Sequence, residues 1–244
     1  MKILAIISFS VILFLGCSQA ETKEKSSTNQ KTQKSAELVP IMLNDTTFTF
    51  ENHELGKLPS GWSQYFTGES DTTDWKVLDD EGNNVLAQLS EEDVRGHFNE
   101  VVFDGFAVKN VELMVKLKGV KGERDQGGGF VWRFIDADNH YIVRANPLED
   151  NVVLYKMENG ERTDLPLLGK GRTYGVDVEP LGSGWNNLRL TVLDNLFTIY
   201  LNEKEIFQVK DETFKNAGKV GLWTKADAVT YFDDFKIKRI GQEK

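Results

Sequence analysis

Leu188-Arg189-Leu190-Thr191-Val192-Leu193-Asp194-Asn195-Leu196-Phe197-Thr198-Ile199-Tyr200-Leu201 is the stretch that decides the fold class. Leu188, Leu190 and Val192 face one way, with Arg189 and Thr191 opposite. Beyond Asp194-Asn195, Phe197, Ile199 and Leu201 alternate with Thr198, Tyr200 and Asn202. Period two marks a strand with one buried face. Asp and Asn tolerate the positive φ that a two-residue turn needs, so the stretch reads as an antiparallel hairpin. Val152 to Met157 makes a second one, turning through Asn159-Gly160 into Glu161-Arg162-Thr163.

Outward from these hairpins the same texture continues. Short runs of Val, Ile, Phe, Tyr and Thr recur between Gly, Asn and Asp, with no sustained period of 3.6. Strands are predicted at Thr47–Phe50, Trp75–Leu78, Val85–Leu89, Val111–Lys118, Gly129–Ile135 and Tyr141–Ala145. More follow at Val152–Met157, Asn187–Leu193, Phe197–Asn202, Ile206–Lys210, Val220–Thr224 and Tyr231–Lys238. About a dozen strands imply two stacked antiparallel sheets, an all-β sandwich. The one helical hint is Asp211 to Gly218, where Asp211 could cap a single turn and Gly218 end it. Neither a repeat nor a second composition shift divides residues 41–240, which read as one domain.

Composition excludes several function classes. Net charge is −9 with pI about 5.0, whereas a nucleic-acid binder is expected to carry a basic face. One Cys rules out a disulfide framework and a Cys-rich zinc site. A 40% hydrophobic content with 27% charged residues reads as globular rather than disordered.

The lone Cys falls where an address would end. Met1-Lys2 is a short basic start, and Ile3 to Leu15 is apolar apart from Ser8 and Ser10. That core is too short for a spanning helix, which needs about 20 apolar residues, and suits a signal peptide. Leu13-Phe14-Leu15-Gly16-Cys17 resembles a bacterial lipoprotein signal, which implies residues 1–17 as signal with a lipid on Cys17. Ser18 in place of Asp implies the outer membrane in enterobacterial-type sorting. Residues 18–40 read as a disordered tether, because Glu21 to Lys31 has no apolar residue to bury. A flexible chain of that length spans roughly 25 Å.

Gly127-Gly128-Gly129-Phe130-Val131-Trp132-Arg133-Phe134 is followed by Asp136, Asn139 and Tyr141-Ile142-Val143-Arg144-Ala145-Asn146. Later come Trp185-Asn186-Asn187-Leu188-Arg189, Leu201-Asn202, Gly218-Lys219-Val220-Gly221-Leu222-Trp223-Thr224 and Phe232-Asp233-Asp234-Phe235. In order and spacing this resembles the concanavalin A-like lectin/glucanase jelly rolls, especially the 3-keto-disaccharide hydrolase (DUF1080) group. Phe50-Glu51 and Leu58-Pro59-Ser60-Gly61-Trp62 fit the same pattern. The resemblance covers about Thr47 to Ile240 and implies two curved sheets with a concave face that handles carbohydrate. Three functions follow as expectations: a glycan-binding envelope protein, a glycoside-cleaving enzyme, or a partner-binding module without a sugar site.

The chemistry-bearing residues narrow these. A laminarinase-type Glu-x-Asp-x-x-Glu would set nucleophile and acid/base on one strand face, about 5–5.5 Å apart. Here the nearest run is Glu123-Arg124-Asp125-Gln126-Gly127-Gly128, with glycine at the second Glu. His53, His97 and His140 show no metal-ligand spacing and read as loop or hydrogen-bonded residues. Arg133 and Arg144 lie inside strands, where an unpaired buried charge costs several kcal/mol, so they are expected to face solvent or a groove. Trp132, Arg133, Tyr141, Arg144, Asn146 and Lys225 form the expected saccharide floor, rings stacking on sugars and polar groups binding hydroxyls. Arg133, Arg144 and Lys225 are expected to share one ligand site. The first and last strands adjoin in many jelly rolls, so Glu51 and Asp233 form a candidate pair for a structural calcium ion.

Overall fold

The computed structural model describes residues 45–68 and 73–241. Cys17, the signal and the tether lie outside them. All strand pairs are antiparallel, in two sheets of eight strands.

Sheet A contains β1 (Thr46–Phe48), β3 (Trp75–Asp80), β4 (Asn83–Gln88), β6 (Val111–Lys121), β12 (Asn186–Leu193), β13 (Leu196–Leu201), β14 (Lys204–Lys210) and β16 (Val229–Arg239). Its order is β14-β13-β12-β6-β16-β4-β3, with β1 added on β16. Sheet B contains β2 (Trp62–Thr67), β5 (Phe98–Val108), β7 (Gly128–Asp136), β8 (Asn139–Asn146), β9 (Asn151–Glu158), β10 (Glu161–Asp164), β11 (Val176–Asp177) and β15 (Gly218–Lys225). Its order is β10-β9-β8-β7-β15-β5-β2, with β11 paired to β9.

The deciding hairpin forms β12 and β13. Leu193 pairs with Leu196, and Asp194 takes φ +51° in the turn. At the second hairpin Asn159 and Gly160 both take positive φ, 53° and 78°, as a type I′ turn requires. Every strand predicted from alternation is present. Two strands without that pattern, β2 and β5, join them, as does the two-residue β11. The helical hint is corrected: no helix forms between Asp211 and Gly218. The Asp211 carboxylate instead accepts from the Tyr141 hydroxyl at 2.5 Å and the Thr213 N–H at 2.8 Å.

The two sheets differ in what they bury. In sheet A burial alternates, as along β6 and β12, with apolar side chains inward and polar ones in water. In sheet B, β7, β8 and β9 are buried on both faces for most of their length. The inward face joins the inter-sheet core through Phe130, Trp132, Tyr141, Val143 and Leu222. The outward face carries a second apolar cluster, including Phe98, Val131, Ile142, Tyr155, Met157 and Trp223.

That second cluster exists because sheet B curls. Arg162 on β10 lies 4.4 Å from the ring centroid of Phe98 on β5, five strand spacings away in the sheet order. Gly129 and Gly221 sit at the bottom of the curl, opposite Trp223 and Val131 respectively. A Cβ on Gly129 would meet the Val143 carbonyl oxygen at 1.9 Å, and one on Gly221 the Val101 oxygen at 2.1 Å. Backbone cannot yield as a side-chain tip can. We therefore expect Gly129→Ala and Gly221→Ala each to cost at least about 2 kcal/mol, in the range of overpacked cores. The melting temperature should fall by about 4–8 °C in a domain of this size. Unchanged melting curves would show that the strands are not held this closely.

Candidate functional site

Face and register divide the six expected saccharide-floor residues. On β8, Tyr141, Val143 and Ala145 point into the inter-sheet core while Ile142 joins the outward cluster. Alternation puts Arg144 with Ile142. Across from β8, Trp132 pairs with Tyr141 and Gly129 with Arg144. Trp132 is therefore core, stacked on Tyr141 at 5.3 Å and edge-on to Phe197 at 5.3 Å. Neither Trp132 nor Tyr141 is part of a binding floor.

Arg133 departs for a different reason. The β7–β8 register shifts between Trp132 and Asp136, and Arg133 takes φ +47° in that bulge. A bulge re-aims a side chain that simple alternation would place elsewhere. The guanidinium lies 5.6 Å from the Phe197 ring. It donates to the Phe214 carbonyl at 2.6 Å, to Lys109 O at 3.4 Å and to Asp194 O. It ties three loops at one end of the sandwich, on the opposite side of sheet B from Arg144. The expectation that Arg133 and Arg144 share a site is thus corrected.

Arg144, Asn146 and Lys225 do come together, around the fully buried Asp125. Lys225 Nζ lies 2.6 Å from Asp125 Oδ2, and Asn146 Nδ2 donates to Oδ1 at 3.3 Å. Arg144 is also fully buried. It donates to Glu149 Oε2 at 2.7 Å and to Asn151 Oδ1, with the hydroxyls of Tyr155 and Tyr174 at 3.5 Å. Burial pushes the Glu149 carboxyl up, but the Arg144 charge together with the hydrogen bonds from Arg144 and Asn151 and the Lys225 charge holds Glu149 below its usual range. Asp227 shapes the loop that supplies Asp125. Its carboxylate accepts from the consecutive N–H groups of Glu123, Arg124 and Asp125 at 2.7, 3.0 and 3.0 Å.

Lys225 links this cluster to a cleft of about 500 Å³ on the outward side of sheet B. Arg95, Phe98, Arg124, Glu161, Arg162 and Lys225 line it. Arg162 lies over the rings of Phe98, Tyr155 and Trp223, at 4.4, 4.4 and 5.9 Å. All three rings are buried, so the cleft offers a ligand the polar ends of Arg95, Arg124, Arg162 and Lys225 rather than a ring face. A roomier recess of about 640 Å³ lies elsewhere, among Lys170, Asp177, Glu179, Lys204 and Glu205. Its charges are mixed, two lysines against three carboxylates, so it gathers no set of donors of one sign. Sequence reading missed Arg162. The usable signal was its place in the hairpin, where it pairs with inward-curled Met157.

Beneath the cleft lies a buried dyad, Glu100 and His140, with Oε1 and Nε2 3.9 Å apart and both side chains fully buried. Burial, with a contribution from Asp138, pushes the Glu100 carboxyl well above its usual range. Burial draws His140 down to about 4 against a weaker opposing hydrogen bond to the Asp136 carbonyl. Each is driven to its neutral form, so the two do not make an ion pair at neutral pH. Glu100 could hold a proton for general acid catalysis, but it has no exposed surface to offer a substrate.

The calcium expectation meets a sparse oxygen set. β1 and β16 do adjoin, Phe48 opposite Phe235. Asn84 Nδ2 donates to the Glu51 carbonyl at 3.2 Å and Asn83 Nδ2 to Asp233 Oδ2 at 3.3 Å. Calcium takes six to eight oxygens. Among the described residues no group of three or more His, Cys, Asp or Glu converges. Glu51 and Asp233 do not by themselves fit that shell, and no role is derived for an ion there.

No protein family and no curated protein sequence matches the chain. Solved structures do. The carbohydrate-binding module CBM66 from Bacillus subtilis superposes with TM-score 0.52 at 18% identity, over 72% of this chain and 93% of that one. The cellulose-induced protein Cip1 gives 0.55 at 13% identity, over 81% and 100%. The GH43 protein BlXynB from Bacillus licheniformis gives 0.51 at 15%, over 76% of this chain and 38% of that one. At these identities the likeness is one of fold: the domain is a two-sheet jelly-roll sandwich.

The dyad yields a pH prediction. Glu100 has a raised folded pKa, so the unfolded chain loses its proton first as pH rises above about 4.3. Stability contributed by Glu100 is present below that pH and is lost as pH rises toward the folded pKa. Glu100→Gln cannot titrate. Its stability relative to wild type should therefore climb with pH from 4.5 upward, by up to about 1.4 kcal/mol per unit. Parallel curves of melting temperature against pH would mean that Glu100 ionises normally.

Proposed function

We propose that this chain is a non-catalytic glycan-binding protein of the bacterial envelope, held to the outer membrane by a lipid on Cys17. The observation that carries the binding reading is the cleft. It gathers four guanidinium and ammonium donors, on Arg95, Arg124, Arg162 and Lys225, on the curled face of a jelly roll. Support also comes from fold neighbours whose names describe a carbohydrate-binding module and a GH43 protein. Hydrolysis is not favoured. A glycosidase needs two carboxyl groups flanking the scissile bond, and the cleft lining holds one acid, Glu161. The nearby carboxylates of Asp125 and Glu149 are each engaged by a cation. The anchor reading rests on the apolar run ending at the only Cys in the chain.

A glycan array run beside a reducing-end assay tests the first half. Binding without release of reducing ends is expected. The double variant Arg95→Ala/Arg124→Ala should bind at least about tenfold more weakly, since hydrogen bonds to charged groups contribute about 1.5–3 kcal/mol. Release of reducing ends by the wild type would restore the hydrolase reading. For the anchor, metabolic labelling with a fatty acid should mark the wild type, and Cys17→Ala should be unlabelled and leave the membrane fraction. An unlabelled wild type would remove the lipid from the proposal.

A further inference from the structure

We propose that the cleft selects glycans carrying an oxyanion, a uronate carboxylate or a sulfate ester, and that Arg162 receives it; this rests on the glycan-binding reading above. The chain is acidic overall, with net charge −9, yet the cleft reverses that sign. Arg95, Arg124, Arg162 and Lys225 face it against Glu161 alone.

Two of these cations already have partners. Arg124 is bonded to Asp93, with one contact at 3.0 Å, and Lys225 to Asp125. Arg162 differs: among the described residues no carboxylate lies within ion-pair distance of it. Three rings hold it instead, those of Phe98, Tyr155 and Trp223. A ring face attracts a guanidinium without using its N–H groups, so the donor edge is left unspent. Its Nη1 is buried without a hydrogen-bond partner, and the half-buried side chain meets the cleft with the rest of its donor edge.

A guanidinium partly out of water with no carboxylate partner is a costly unneutralised charge. A carboxylate or sulfate meets a guanidinium fork with two parallel hydrogen bonds. A neutral hydroxyl supplies one acceptor and no charge. The site is also preorganised: the rings fix the guanidinium and the tight Asn159-Gly160 turn fixes β10. Fixed donors bind their matching group with little ordering cost. The ligand that completes Arg162 is therefore an anionic sugar.

The test uses the full-length chain on an array of paired oligosaccharides. One pair is β-1,4-linked tetramannuronate against mannotetraose, which differ only at C6. The other is a sulfated galactan tetrasaccharide against its unsulfated counterpart. At least one acidic member should bind at least tenfold above its neutral partner, and 0.5 M NaCl should reduce that signal. Which acidic member binds separates carboxylate from sulfate. Arg162→Gln should level each pair. Arg162→Lys, which keeps the charge but loses the fork, should fall between. Lys238→Gln removes a charge from sheet A and should leave the preference intact. Equal binding within each pair would overturn the inference while the glycan reading stands. A blank array would overturn both. If Arg162→Gln retains the acidic preference, Arg162 is not the receptor. Should the variants fail to fold, the wild-type acid-to-neutral ratio and its salt dependence still decide.

Discussion

The curl of sheet B is the constraint on which the rest of the molecule depends. Five strand spacings separate β10 from β5, about 24 Å in a flat sheet, and no two side chains reach across that. Arg162 nonetheless rests on Phe98. The curl needs glycine at Gly129 and Gly221, where backbone approaches backbone. It also removes water from a face that most antiparallel sheets leave wet. Trp223, Ile142 and Met157 fill the interior of the bend, so the sandwich has two hydrophobic layers, one between the sheets and one inside sheet B.

That second layer decides where polarity goes. Inside the bend, Glu100 and His140 are deprived of charge by burial. Toward its rim, ions survive because each finds a partner: Arg144 with Glu149, Lys225 with Asp125. Asp227 fastens the loop between them with three backbone hydrogen bonds. Arg162 stands where the two regimes meet, a cation held by rings.

Strand content and fold class were legible in the sequence because sheet A alternates. Strands such as β6 and β12 bury one face, and period two announces them. Sheet B was harder. β5 opens Phe98-Asn99-Glu100-Val101-Val102, with buried Asn and Glu among apolar residues, so it shows neither alternation nor an apolar run. The site was legible in part for a related reason. Of the expected trio Arg133, Arg144 and Lys225, the last two obey strand parity and lie near one another around Asp125. Arg133 sits in a bulge that no residue pattern reports, and the bulge carried it to the far side of the sheet. Of the rings that hold Arg162, Tyr155 lies on its hairpin partner β9, but Phe98 and Trp223 come from strands distant in sequence, a proximity that only the closed bend creates.

One end of the domain bears a different kind of consequence. β1 pairs with β16 over only three residues, Thr46 to Phe48. Phe48 compensates for that short ladder, its ring set among Trp62, Phe103, Phe50 and Phe235 at 5.0, 4.9, 6.4 and 6.1 Å. These rings come from both sheets and from the last strand. Any mechanical load arriving from the amino-terminal side of Asp45 enters the fold through this strand. Resistance to such a load would come less from the ladder than from extracting one phenyl ring from an aromatic socket. Under tension, Phe48 is the pin of the domain.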